Sequence, residues 1–139
     1  MNGSNQANRE GEMANREQAV EVVKAYLDGW RDKDKEAWLA LFSDDAEIID
    51  PVGAPGHRGK DAIGAFWDRV TGTGMKMSPE LHKTVVCGDE VVAQFTLTST
   101  AGGMGMAVDI IDVFTLDADH RIKLLRAYWD QSCTRMVTG

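Results

Sequence analysis

The sequence predicts an α+β protein, a curved antiparallel sheet with helices packed on one face. Apolar residues recur at three- and four-residue steps only in the first half, between Asn15 and Val70. From Leu81 onward, period-two alternation and short turns take over. Helices followed by strands pack as one helical layer against one sheet. The 139 residues suffice for one core and are too few for two. A single domain over 15–139 is therefore expected after a polar leader. A sheet wrapped over helices encloses a cone that can hold a small molecule.

Residues 1–14 are rich in Asn, Gly, Ser and Glu, lack apolar periodicity, and read as a disordered leader. Asn15 and Gln18 form a capping box, and Ala19, Val20, Val23, Tyr26, Leu27 and Trp30 form the stripe of the first helix. Asp32 and Asp34 interrupt it. A short second helix buries Ala37, Trp38, Leu41 and Phe42, and Ala46–Ile49 is a strand. The loop Ala54–Gly59 turns at its Pro and Gly residues. A third helix, Lys60–Val70, faces Ala62, Ile63, Phe66, Trp67 and Val70 inward. Strands follow at Leu81–Val86, Val91–Thr100, Met106–Leu116 and Arg121 to about Cys133. The stretch Ala101–Gly105 is a glycine-rich link, and Asp117–His120 is a hairpin turn.

Composition removes several function classes. Hydrophobic residues at 43% and charged residues at 27% fit a soluble globular chain. A net charge of −7 disfavours a nucleic-acid partner, which requires a basic footprint. No apolar run spans a membrane, and no secretory h-region is present. Cys87 and Cys133 make no disulfide framework, so a reducing cytoplasm is the default compartment. His57, His82 and His120 lack metal-ligand spacing, so no metal is expected.

Asp50 opens Asp50-Pro51-Val52-Gly53 directly after the apolar pair Ile48-Ile49. Proline ends the ladder and holds its predecessor extended. Asp50 thus sits at a strand mouth, as a base or as a turn-capping residue. Asp112 lies in Ile110-Ile111-Asp112-Val113-Phe114. Alternation puts it with Val108, Ile110 and Phe114, opposite Asp109, Ile111 and Val113, on a strand expected to be covered on both sides. Burial there raises a carboxyl pKa, leaving a neutral donor, unless backbone or Arg126 pairs with it. Tyr26 is either a core aromatic or a phenol aimed into the cone. Trp38, Phe42, Phe66, Trp67 and Phe95 serve as core or as pocket wall. His57 is read as a solvated loop histidine, with a second base as its alternative.

Tyr26 in Lys24-Ala25-Tyr26-Leu27, Asp50 in Asp50-Pro51-Val52-Gly53 and Asp112 in Ile111-Asp112-Val113-Phe114 resemble the steroid Δ-isomerase (ketosteroid isomerase) family. That family belongs to the NTF2-like, SnoaL-like superfamily. The resemblance implies an NTF2-like cone, a curved mixed or antiparallel sheet around three N-terminal helices. It implies Asp50 as general base, with Tyr26 and a protonated Asp112 as donors to an enolate oxygen. It implies a substrate-binding wall of Phe42, Val52, Phe66, Trp67, Phe95, Phe114, Ala127 and Trp129. It further implies a hydrophobic, steroid-like ketone as substrate, no cofactor, and a homodimer. Trp67 stands where the family often carries a second Tyr, and Trp129 replaces a smaller aromatic. The fold also hosts polyketide cyclases, epoxide hydrolases and non-catalytic binders, and fold does not fix function. A hydrolase would want an Asp-Arg-Asp set, for which Asp112, Arg126 and Asp130 are the candidates.

Overall fold

The computed structural model describes residues 2–138. Helix α1 covers Asn2–Asp32, α2 Lys35–Leu39 and α3 Lys60–Thr71. The strands are β1 (Phe42–Ile49), β2 (His57–Arg58), β3 (Lys76–Cys87), β4 (Glu90–Ala101), β5 (Met104–Leu116), β6 (Ile122–Tyr128) and β7 (Thr134–Thr138). They form one unclosed sheet in the order β2-β1-β6-β5-β4-β3, with β7 continuing along β5 where β6 stops. Every pairing is antiparallel except β1 with β6, which is parallel. The α+β expectation of three helices on a curved, mixed sheet holds.

The core lies between the helices and the inner sheet face. Val23, Tyr26, Leu27 and Trp30 from α1 and Ile63, Phe66 and Trp67 from α3 meet Ile48, Phe95, Phe114 and Leu125 from the sheet. Helix α2 approaches α1 closely. A methyl built on Gly29 would stand 2.9 Å from Trp38 Cβ.

Several boundaries differ from expectation. Helix α1 begins at Asn2, so the leader is helical. Its positions 6–12 include the good helix formers Gln6, Ala7, Arg9, Glu10 and Glu12 beside Asn8 and Gly11, with no apolar stripe. The missing periodicity reports the absence of a core contact there rather than the absence of a helix. Asn15 is therefore not a cap. Its Nδ2 donates to Gly88 O at 3.0 Å, and its Oδ1 lies 3.1 Å from His120 Nε2, so one side chain ties two hairpin turns to the helix. Phe42 belongs to β1, opposite Ile122, rather than to α2. The glycine link is a two-residue hairpin turn. Gly102 and Gly103 have φ of 61° and 80°, the pair of positive angles that such a turn requires, and Ala101 pairs with Met104 across it. The final strand divides into β6, a 3-10 turn at Gln131–Cys133, and β7. Ile111 is 44% exposed, so β5 is covered on one face only.

Candidate active site

The β1–β6–β5 register assembles the site. Ile49 pairs with Arg126, so Asp50 follows at the level of Ala127. The bend after it is tied down by Val52 N, which donates to Ala127 O at 2.9 Å. Ala127 in turn faces Asp112 across β5. Asp50 and Asp112 thus flank one alanine, about 10 Å apart at two strand spacings. On its other side Asp112 faces Ala93. Neither neighbour carries a polar side-chain group.

Asp112 is 2% exposed, and its Oδ1 has no hydrogen-bond partner. Arg126 does not supply one. It lies on the outer face, where its Nη2 donates to Glu90 Oε2 at 3.1 Å. Burial first, and the Asp50 charge second, push the Asp112 pKa well above the usual carboxylate value. Burial thus favours its neutral, protonated form.

Tyr26 reaches the same space from α1. Its ring packs edge-on against Phe114 at 5.1 Å, with Trp38 at 5.9 Å, Trp30 at 6.2 Å and Phe42 at 6.4 Å. Burial, then Asp112 and Asp50, hold its pKa well above 10.0, against an opposing contribution from the Trp30 indole. The phenol keeps its proton.

Asp50 is only half-buried. Trp129 Nε1 donates to its Oδ1 at 2.7 Å. Burial raises its pKa, while the Trp129 hydrogen bond and then His57 work to lower it. Of the two carboxyl groups, Asp50 is the one supplied with a donor for its ionised form. His57 is not a solvated loop residue. It pairs with Ile48 in β2, and its ring lies 5.1 Å from Phe66.

The aromatic residues divide by depth. Phe42 and Phe114 pack around Tyr26, while Trp67 stacks on Trp30 at 4.5 Å and 19°. Trp67 thus stands among indoles, not phenols. Phe95 pairs with Ile110, one step along the inner face from Asp112. Phe66 lies between His57 and Trp30. Val52 is 45% exposed on the bend. Trp129 stands just past β6, in the turn toward β7, and not on the strand. Its bond to Asp50 and the place of Trp30 beside Tyr26 were not foreseen. Nothing in the local sequence signals the first, whereas the four-residue step from Tyr26 to Trp30 already put the second pair on one helix face.

The arrangement sets a half-buried carboxyl with an indole donor at its side near a buried carboxyl and a buried phenol. It can remove a proton and hold the oxyanion that results.

The SnoaL-like domain family model matches residues 23–125. A steroid Delta-isomerase from Nocardioides simplex is 37% identical over 108 residues, 78% of this chain and 86% of that protein. The crystal structure of Delta 5-3-ketosteroid isomerase from Mycobacterium sp. superimposes with a TM-score of 0.77 at 25% identity, covering 86% of this chain and 98% of that one. The epoxide hydrolase/cyclase-like enzyme SalBIII, described in pyran ring formation in the polyether salinomycin, gives 0.80 at 20% identity, covering 88% and 98%, and so shares the fold. With residues 23–125 matched and a relative at 37% identity, the chain belongs to the steroid Δ-isomerase family of the SnoaL-like, NTF2-like superfamily.

Proposed function

We propose that the protein is a cofactor-independent isomerase that moves the double bond of a 3-oxo-Δ5-steroid into conjugation with its ketone. Asp50 removes a proton from the carbon between the ketone and the double bond. Tyr26 and protonated Asp112 donate hydrogen bonds to the enolate oxygen. Asp50 then returns the proton at the far end of the dienolate. The observation that carries this reading is the pairing of unlike carboxyl groups across Ala127. Asp112 is buried with an unpartnered oxygen, and Asp50 is half-buried with the Trp129 indole as donor. The division is required, because the base has to ionise and the oxyanion donor has to keep its proton.

An epoxide hydrolase reading needs an acid–arginine–acid set around a water. Arg126 is bound to Glu90 on the outer face, and Asp130 is exposed and bonded to Ser132, so that set does not converge. A cyclase would use the same Asp50 base and differs by substrate. We further propose that two copies pair through the outer sheet face, where Val85, Ile111 and Tyr128 are exposed. Among the described residues no helix is long and apolar enough to cross a membrane.

The deciding assay follows conjugated-enone absorbance after addition of Δ5-androstene-3,17-dione. Wild type should turn it over, and Asp50→Asn should lose about 10²–10⁴-fold in kcat. Wild-type turnover no faster than buffer would overturn the steroid reading, and an active Asp50→Asn would remove Asp50 as base.

A further inference from the structure

The inner sheet face does not end at the catalytic groups. Residues directly opposite one another in neighbouring strands share a face, so the register can be followed outward from Asp112. Two residues on, Leu81, Phe95 and Ile110 form a row. The next row is Pro79, Leu97, Val108 and Thr134. Beyond it lies a row through four strands, Met77, Ser99, Met106 and Met136. Met104 opens the last, opposite Ala101 and Thr138. No charged side chain falls in any of these rows. The alternate positions of the same strands carry Lys76, Glu80, Asp109 and Arg135 on the outer face.

Exposure along β5 rises as the helices give out. Asp112 is 2% exposed, Ile110 9%, Met106 44% and Met104 58%. Arg31 Nη2, in the last turn of α1, donates to Pro79 O at 2.9 Å, and Met77 in the next row is still only 4% exposed, so cover is lost only toward β5 and β7. Met136 is 66% exposed. The charge-free strip therefore leaves the cone as an open, methionine-lined lip. At strand spacing, Met106 is about 20 Å from Asp112. Four fused rings with their ketone at Asp112 end before that row.

We infer that the lip formed by Met104, Met106 and Met136 binds a flexible alkyl chain carried on the far end of the substrate's ring system. This rests on the isomerase reading of the Tyr26–Asp50–Asp112 site and names the substrate class within it, a fused-ring ketone with a hydrocarbon tail. The strip is continuous with that site through an unbroken β4–β5 register. Unbranched thioether side chains adapt to a mobile aliphatic partner. A protein-docking patch would be marked by aromatic and arginine anchors, and this row contains neither.

The test compares kcat/KM for 5-cholesten-3-one, which carries a branched eight-carbon chain, with that for Δ5-androstene-3,17-dione, which carries none. Both are presented in the same detergent to wild type and to Met106→Ser/Met136→Ser. Wild type should prefer the alkyl substrate, and the double variant should lose that preference by about tenfold or more. Equal melting temperatures of the two proteins exclude a folding defect. If the short substrate is turned over and the ratio is the same in both proteins, the inference is overturned while the isomerase reading stands. If neither substrate is turned over by wild type, the isomerase reading itself falls, and this inference with it. If the ratio is unchanged but the variant no longer sediments with phosphatidylcholine vesicles, the lip is a lipid-docking surface and the inference is again overturned.

Discussion

Asp112 owes its chemistry to two alanines. Ala93 and Ala127 stand on either side of it, and neither can donate a hydrogen bond from its side chain. The carboxyl is buried with its Oδ1 unpartnered, and burial favours its protonated form. That has a thermodynamic consequence of definite sign. In the unfolded chain the group titrates near about 3.9, and in the fold its pKa is raised by burial. The stability it contributes is complete below the unfolded value and is lost as pH rises through the folded one. Asp112→Asn cannot ionise and escapes this loss. Urea midpoints of variant and wild type should lie close near pH 4 and separate in the variant's favour by pH 8. A difference that does not change with pH would remove Asp112 ionisation from the account. Both carboxylates were legible at this scale, because each is fixed by its own neighbours, Ile48-Ile49 before Asp50 and the apolar run around Asp112. Trp129 was not legible as the partner of Asp50. The two are 79 residues apart and meet only because the turn after β6 folds over the end of β1.

At the scale of elements, periodicity located what is buried and was silent about what is not. Helix α3 and the β4 and β5 strands follow their patterns. Residues 6–14 of α1 are exposed and so left no pattern to read. Phe42 continued the helical spacing of Trp38 and Leu41, yet its backbone pairs with Ile122, a choice made by a strand 80 positions away. The approach of α2 to α1 yields a prediction against helix propensity. Gly29→Ala should gain up to about 1 kcal/mol from propensity alone. The new methyl would meet Trp38 Cβ and Cδ1 at 2.9 Å. Trp38 is fully buried among Tyr26, Trp30, Phe42 and Trp67 and has little room to give. Overpacking of this kind costs about 1–3 kcal/mol, so the substitution should destabilise on balance. Chemical denaturation measures it, and a stabilised variant would show that the two helices part easily.

The whole molecule presents two unlike sheet faces. The inner one carries the candidate site. The outer one carries Val85, Val92, Val113 and Arg126 in one cross-strand row and Gln94, Ile111 and Tyr128 in the next. If copies pair through it, wild type sediments as a dimer at micromolar concentration and Ile111→Lys, placed at the centre of the face, as a monomer. A monomeric wild type would dismiss the pairing. The α+β class was legible because helices and strands are segregated along the chain. The parallel β1–β6 contact was not, since no local pattern reports which distant strand a segment will join. That contact also bears on how the site comes into being. Asp50 stands at the end of β1, its indole partner follows β6, and Ala127 of β6 separates the two carboxyl groups. A pairing across so much sequence carries a large closure entropy and tends to form late in folding. A chain still emerging from the ribosome, with α1 and β1 complete and β6 not yet made, holds Tyr26 and Asp50 but no pocket between them. Any reactivity of the site would then wait until β6 has joined β1.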